Sequence, residues 1–261
     1  MLAIAFTGVI QHEVEQAQLR RLTASVRADA GTGCIVVCNA DGLFASAARL
    51  EAQIEVLFDS GIDVVFLGEQ AIARNAGRSA LTQSDRPLIR PANLARTCPG
   101  RGSLLFGSAE KSFWMLSVVD GTGKIPVEPP HVFLDKFFRN KTDDLPVIIN
   151  VNGTDFDYRQ ALAWRYGSDK AGVFVFGCGT GFPTVIASME SEGCFLQHDT
   201  GSVVTGRSIG GLTPACWWQR EIERLPVAPV SEWGLLRCDY TVVWLDGNGK
   251  PQKYLQKTVM L

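Results

Sequence analysis

The sequence predicts an α/β fold that contains a parallel sheet. Over the first two-thirds of the 261-residue chain, short apolar runs typical of strands alternate with segments whose apolar residues have helical spacing. Strand–helix–strand units this short form parallel strands with right-handed crossovers. No repeat, low-complexity segment or linker interrupts the pattern, so residues 1–261 are expected to form a single domain.

The first units of this pattern can be placed in order. The expected strands cover residues 2–10, 34–38 and 62–67. The helix between the first two strands carries Leu19, Leu22 and Val26 on one face. Ser46 is expected to cap the second helix at its start, and Gly61 is expected to end it.

The remaining elements follow a Pro-, Arg- and Gly-rich stretch at residues 84–102. We expect paired strands at 103–106 and 113–119, further strands at 147–151 and 173–176, and helices near 132–139 and 155–166. The tail is typical of an antiparallel hairpin over 235–259 that turns at Asp246–Gly249. Trp217, Trp218 and Trp233 are expected in the core or at a subunit interface rather than on a base-stacking surface.

Composition excludes several functional classes. The net charge is −2 and the charges are well mixed, which favours neither a nucleic-acid partner nor a membrane surface. The apolar run at the N-terminus ends by Ile10, too early for a membrane span, and no basic region precedes it. The seven cysteines contain no CxxC pair, so we expect free thiols and a cytoplasmic location.

Ligands of open α/β sheets bind where the carboxyl ends of the strands meet loops. The loops expected at these ends are Thr7–Val9, Asn39–Gly42, Gly68–Gln70, Asn150–Gly153, Gly177–Gly181 and Gln197–Asp199. They are therefore the first places to search for a functional site.

The sequence resembles the YmdB-like bacterial metallophosphoesterases, which are relatives of the calcineurin-like phosphodiesterases. The matching motifs are Asn39-x-Asp41, the run from Asp59 to Gly68, and the block Arg90–Leu94 followed by Pro99–Gly102. The resemblance extends over the full length. It implies a four-layer α-β-β-α sandwich of two mixed sheets, and a two-metal site that activates water against a phosphodiester.

Carried over to the first half of the chain, most of the family's metal ligands are missing. The aspartate of the first strand falls on Gly8. The Asn-Gly-Glu-Asn loop becomes Asn39–Gly42, with Asp41 as a shortened carboxylate and Gly42 in place of the second amide. The Asn-His pair falls on Glu69 and Gln70.

The second half has lost its histidines as well. The histidine after the next strand falls on Asn152, and the His-x-His pair falls on Gly179 and Gly181. The chain holds three histidines in total, and His198 with Asp199 is the one that the resemblance brings near the pocket. These residues cannot rebuild a histidine-rich site for two repelling divalent ions.

Weaker chemical interpretations of the pocket remain open. Asp41 and Glu69 could bind a single Mg²⁺ or Mn²⁺, although partly solvated loop or capping carboxylates explain them more simply. His198 could act as a rebuilt general acid, but a lone histidine is more often structural. Gly177-x-Gly179-x-Gly181 lacks the Lys-Ser/Thr of a phosphate loop, and Cys178 has no identifiable base to activate it.

We therefore expect a vestigial active-site pocket without catalytic residues or a metal cofactor, in a protein that binds a protein partner or itself. The alternative is a phosphodiesterase or nucleotide-binding protein that has rebuilt a reduced metal site from Asp41, Glu69, Asn152 and Asp199. A third hypothesis is a sensor that binds a nucleotide without turnover.

Overall fold

Two β-sheets pack face to face, and helices cover the outer surface of each. The structure is a computed structural model that describes residues 1–46, 50–108, 111–123, 125–167, 172–189 and 194–261. Within these ranges, one apolar cluster lies between the two sheets. A second lies between the first sheet and its helices, and a third lies between the second sheet and its helices. The expected four-layer α-β-β-α sandwich is confirmed.

Eight strands form the first sheet in the described part of the chain. They are β1 (Leu2–Thr7), β2 (Val9–Ile10), β3 (Ile35–Asn39), β4 (Val64–Phe66), β5 (Leu88–Ile89), β12 (Ser202–Thr205), β13 (Leu236–Leu245) and β14 (Pro251–Met260). Their order is β2-β12-β13-β1-β3-β4-β5, and β14 pairs with β13. The predicted parallel strands β1, β3 and β4 are adjacent, and the antiparallel hairpin β13–β14 extends the sheet.

The second sheet has six strands among the described residues, in the order β10-β11-β9-β8-β7-β6. They are β6 (Ser103–Ser108), β7 (Lys111–Val119), β8 (Val147–Asn152), β9 (Val173–Cys178), β10 (Ile186–Met189) and β11 (Cys194–Gln197). Strands β7, β8, β9 and β11 are parallel, whereas β6 and β10 run antiparallel at the two edges. Both sheets are therefore mixed.

The helices complete the outer layers. They are α1 (Gln16–Ala30), α2 (Asp41–Ser46), α3 (Leu50–Asp59), α4 (Gln70–Ala73), α5 (Asn75–Gln83), α6 (Pro130–Asn140), α7 (Phe156–Gly167) and α8 (Pro214–Glu221). As predicted, α1 buries Leu19, Leu22 and Val26 against the first sheet. None of the described helices is long and apolar enough to cross a bilayer.

Aromatic side chains hold the two sheets together. Phe6 of β1 stacks on Phe176 of β9, with ring centroids 3.4 Å apart. Phe195 of β11 adds a second ring at 5.3 Å from Phe176. Phe195 and Phe176 belong to the same sheet, so the Phe6–Phe176 stack is the contact of the two that crosses between the sheets.

Three details differ from the sequence-based expectations. The first strand is divided at Gly8, because Gly8 N donates to Asp239 O and Val9 N donates to Gly201 O, so the chain changes partner strand. Ser46 is the last residue of α2, and residues 47–49, which precede the next described helix, lie outside the described residues. Trp218 and Trp233 are more than half exposed, so a place in the core was wrong for both.

Candidate functional site

The parallel strands of both sheets end at a common edge. Asn39 is the last residue of β3, Asn152 of β8 and Cys178 of β9. The Asn39 Nδ2 amide donates to Asn152 Oδ1 at 2.7 Å and lies 3.1 Å from Cys178 Sγ. Three of the loops singled out from the sequence therefore meet here, and a hydrogen bond joins the two sheets at this point.

Asn152, at which the resemblance implies a metal-binding histidine, has its amide fully engaged within the protein. Its Nδ2 donates to Leu67 O at 3.2 Å, Ser117 Oγ at 2.9 Å and Val118 O at 3.1 Å. The side chain is buried. A buried amide with all its partners within the protein serves to hold strands together.

Asp41 lies at the start of α2 and points at the first turn of α4. Its carboxylate accepts from Gln70 N at 3.4 Å and Ala71 N at 3.3 Å. Burial raises the pKa of this carboxyl to about 6, although the backbone donors oppose the shift. Asp41 therefore caps α4, which is the structural role considered for it from the sequence. Gln70 takes part through its backbone N–H.

Glu69 precedes α4 and faces the loop after β7. Its Oε2 accepts from Ile125 N at 3.3 Å, and a Cβ added to Gly123 would lie 2.5 Å from its Cδ. Gly42 is also closely packed, since a Cβ there would lie 2.7 Å from Gln11 Cα. Position 42 therefore leaves no room for the amide side chain that the resemblance implies there.

The backbone of β12 fills the space beside Gly8. A Cβ added to Gly8 would lie 2.5 Å from Gly201 C and 2.6 Å from Ser202 Cα. Real Cβ atoms essentially never approach backbone atoms so closely. No aspartate could occupy this position unless the β2–β12 pair moved.

The two glycines at which the resemblance implies a His-x-His pair differ from each other in the space around them. Gly179 has φ +150°, and a Cβ there would lie 2.8 Å from Gly153 C. Gly181 has φ +75°, and its nearest neighbours, Gln11 Nε2 and Ser202 Cβ, are 3.9 Å from the added atom. Only the second of these positions has open space for a side chain.

Asp199 holds the loop after β9 in place. Its carboxylate accepts from Thr180 N and Thr180 Oγ1, both at 2.8 Å, and from Gly201 N at 2.8 Å. Burial raises the pKa of this fully buried carboxyl, although the hydrogen bonds from Thr180 and Gly201 act to lower it. Because the Thr180 N–H already binds a carboxylate, the glycine-rich loop does not present an anion-binding nest of the kind that holds phosphate.

His198 and Cys178 lack the surroundings of catalytic residues. The His198 ring packs on Phe156 at 5.3 Å, and burial lowers its pKa. Burial also raises the pKa of the Cys178 thiol, whose Sγ lies 3.1 Å from Asn152 Oδ1. A thiol held neutral among amides is a poor nucleophile.

Arg159 is a site residue that the sequence analysis missed. Its guanidinium is fully buried and donates to the carbonyl oxygens of His198, Gly153 and Cys178, so it ties together the loops after three strands. A signal was present, because Arg159 shares the buried face of α7 with Leu162 and Ala163. A charged residue at an apolar helical position indicates a buried polar contact.

The donor set does not fit the two-metal centre that the family resemblance implies. A Cβ on Gly68 would lie 2.6 Å from Asp41 Cγ and 3.0 Å from Asn152 Oδ1, so these two side chains are neighbours. Across the described residues, however, no group of three or more His, Cys, Asp and Glu is arranged to hold a metal ion. Two divalent ions need several anionic or imidazole ligands, and here most polar atoms already bind the protein.

Filling the space beside Gly8 tests this description. Gly8→Ala is expected to lower the free energy of unfolding by about 1–3 kcal/mol, because the added methyl group meets the β12 backbone. The measurement is guanidinium denaturation. Gly33→Ala is the control, because no atom lies within 4 Å of the added Cβ there. Equal stability of the two variants would contradict the close packing at Gly8.

The protonation of Asp41 gives a pH-dependent prediction. Its pKa is about 6 in the folded protein and about 3.9 when unfolded, so wild-type stability should fall as the pH rises through this window. Asp41→Asn should therefore stabilise the fold by about 1–2 kcal/mol at pH 7.5 and by little near pH 4. Thermal unfolding at several pH values measures the difference.

Asp120→Asn serves as the control of opposite sign. Burial opposes ionisation of Asp120, but hydrogen bonds from Thr122, Thr154 and Asp155 outweigh it and lower its pKa. The ionised Asp120 carboxylate stabilises the fold at pH values above its unfolded pKa, and this stabilisation is lost as the pH falls. Asp120→Asn should therefore be less stable than the wild type at pH 7.5. If added Mn²⁺ stabilised the wild type and made Asp41→Asn the less stable protein, Asp41 would be a metal ligand instead.

Known structures share this fold. A hypothetical protein from Thermus thermophilus is similar at 22% identity and a TM-score of 0.84, with 99% of each chain covered. A protein described as a novel phosphatase from Mycoplasma pneumoniae is similar at 16% identity and a TM-score of 0.84, with 99% of this chain and 93% of the other covered. A 5′-nucleotidase precursor, also from Thermus thermophilus, aligns at 13% identity and a TM-score of 0.57, over 100% of this chain and 54% of its own.

These likenesses show that the chain shares its fold with proteins described as a phosphatase and a 5′-nucleotidase precursor. No curated protein sequence matches the chain. The family described as YmdB-like protein matches residues 8–253, which is nearly the whole chain. With its two mixed sheets and the motifs that first indicated the resemblance, this chain belongs to the YmdB-like family.

Proposed function

We propose that this chain is a non-catalytic member of the YmdB-like family that acts by binding a protein partner or a second copy of itself. The observation that carries the proposal is the close packing at Gly8 and Gly179, where backbone atoms lie in the space that ligand side chains would need. A metal ion in this fold supplies the activated water that attacks the phosphodiester. Without ligands to hold it, the pocket lacks its nucleophile.

The polar groups that remain support a structural role for the pocket. Asp41 caps α4, Asp199 holds the loop after β9, and Asn152 bridges strands. Each is engaged by neighbours within the protein, so moving it toward a substrate or an ion would break existing hydrogen bonds. The polar groups of the pocket therefore stabilise the packing of the strand ends and loops where the two sheets meet.

An exposed apolar surface supports the binding part of the proposal. Large apolar side chains remain exposed in the segment that contains α8, and they are Ile209, Trp218, Ile222, Leu225, Val230, Trp233 and Leu235. Backbone contacts from Thr213 N to Val230 O and between Leu212 and Ser231 hold this segment together. Apolar and aromatic groups gathered on a surface are typical of interaction sites.

The alternative is an enzyme with a reduced metal site at Asp41, Glu69, Asn152 and Asp199. The closeness of Asp41 and Asn152 favours it, because both offer oxygen ligands to Mg²⁺ or Mn²⁺. Against it, the Asp199 carboxylate is already bound by Thr180 and Gly201.

A nucleotide bound without turnover remains a third proposal. A cytoplasmic location is also proposed, supported by seven free cysteines.

Metal content separates the first two proposals. Protein purified with added manganese, iron and zinc is expected to contain far less than one ion per chain by elemental mass spectrometry. It should hydrolyse bis(p-nitrophenyl) phosphate no faster than the Asp41→Ala/Glu69→Ala double variant. One or two ions per chain, with hydrolysis that the double variant loses, would establish the reduced metal site and refute the non-catalytic proposal.

Loss of the exposed tryptophans should disrupt association. We expect either that light scattering detects self-association of the wild type or that cross-linking retains a partner protein. The double variant Trp218→Ser/Trp233→Ser should abolish whichever interaction is found. Trp164→Ser is the matched control, since Trp164 is equally exposed but lies on α7 over the second sheet. A monomer without a cross-linked partner, or equal loss in the control, would contradict this surface.

A further inference from the structure

A cavity of about 810 Å³ lies on the outer face of the second sheet, apart from the strand-end pocket. It is bordered by α6, by the start of β7 and by the loops that follow β5 and β7. Sites for small molecules commonly have volumes of about 300–1,000 Å³. The cavity therefore has the size of a ligand site, and no step of the proposed function uses it.

One wall of the cavity is aromatic. Trp114, Phe133 and Phe137 line it, with Trp114 edge-on to Phe137 at 5.5 Å and Phe133 stacked on Phe137 at 6.4 Å. The indole Nε1 of Trp114 donates to Asp143 Oδ2 at 3.0 Å, which fixes the ring and satisfies its polar atom. The wall is thus suited to a flat or apolar ligand body.

A buried amide, that of Asn93, holds another part of the cavity lining. Asn93 Nδ2 donates to Val119 O at 2.8 Å and to Glu128 O at 2.7 Å, and Asn93 Oδ1 accepts from Val119 N at 3.0 Å. These bonds connect the loop that carries Leu94 to β7 and to the segment before α6. The cavity is therefore preformed, as small-molecule sites usually are.

The charges around the cavity leave one cation unmatched. Lys136 pairs with Glu128 at 2.7 Å, and Lys141 pairs with Asp143 at 2.7 Å. Arg96 also lines the cavity and is exposed, and no ion pair or hydrogen bond of its side chain occurs within the described part of the chain. A guanidinium at the rim favours a carboxylate, sulfonate or phosphate group.

We propose that this cavity binds a small organic anion whose flat aromatic or apolar body packs on Trp114, Phe133 and Phe137 while its acidic group meets Arg96. The combination of a preformed aromatic wall with a single unmatched cation selects this class over neutral or cationic compounds. The proposal is independent of whether the strand-end pocket has lost its metals.

Two fluorescent probes with similar bodies test the proposal. 8-Anilinonaphthalene-1-sulfonate carries an anion, and N-phenyl-1-naphthylamine lacks it. The wild type is expected to bind one sulfonate probe per chain, with a blue-shifted emission, more tightly than the neutral probe. Arg96→Gln should weaken the sulfonate probe about fivefold, as for an exposed ion pair, and leave the neutral probe unchanged.

Control variants distinguish the cavity from other apolar surfaces. Ala95→Trp places a ring in the cavity from an exposed loop position and should abolish binding of both probes. Arg139→Gln removes the same charge from α6 outside the cavity lining and should change neither affinity. Circular dichroism melting verifies that each variant folds. No binding to the wild type, or probe binding unaffected by Ala95→Trp and Arg96→Gln, would overturn the proposal.

Discussion

The hydrogen bond between Asn39 and Asn152 is the contact on which the arrangement of the site depends. It joins the carboxyl end of β3 in the first sheet to that of β8 in the second, at the rim of the aromatic layer formed by Phe6 and Phe176. Around it, Asn152 reaches Leu67 across the gap between the sheets and Val118 on the neighbouring strand β7. A buried polar network of this kind fixes one geometry, because any other leaves amide groups unsatisfied.

At Gly8 and Gly179, where the resemblance places metal ligands of the family, neighbouring backbone atoms occupy the space beside the glycine. The β12 backbone packs on Gly8, and the loop at Gly153 packs on Gly179. The Arg159 guanidinium donates hydrogen bonds to three carbonyl groups of these loops. Its charge is buried, and none of these three hydrogen bonds goes to a carboxylate. Interiors are close-packed, so atoms of neighbouring segments rather than empty space lie beside these two glycines.

The two surfaces proposed for binding use residues other than those that meet at this edge. The α8 segment projects exposed apolar groups such as Trp218 and Trp233. The cavity beside α6 combines a rigid aromatic wall with the free charge of Arg96. Function is attached to a fold at sites, and a fold can lose one site while it keeps or gains others.

The sequence by itself determined the fold class, the family and the main elements. Apolar periodicity indicated β3, α1 and the β13–β14 hairpin, because each depends on local spacing and turn chemistry. It also indicated the loops in which Asn39, Asn152 and Cys178 meet, since parallel strands end at one edge. The short elements β5, β12 and α4 were not predicted, because too few residues carry their pattern.

Only the tertiary structure decided what surrounds the positions to which the resemblance assigns metal ligands. A glycine at position 8 looks the same in the sequence whether the space beside it is open or filled, and the atoms that fill it belong to Ser202, far along the chain. Likewise, Asp41 is equally consistent with a ligand or a cap until α4 is placed against it, and the charge of Arg159 would be expected at the surface until α7 is docked. Local patterns encode periodicity, whereas packing between distant segments decides which polar groups are satisfied and which positions have room.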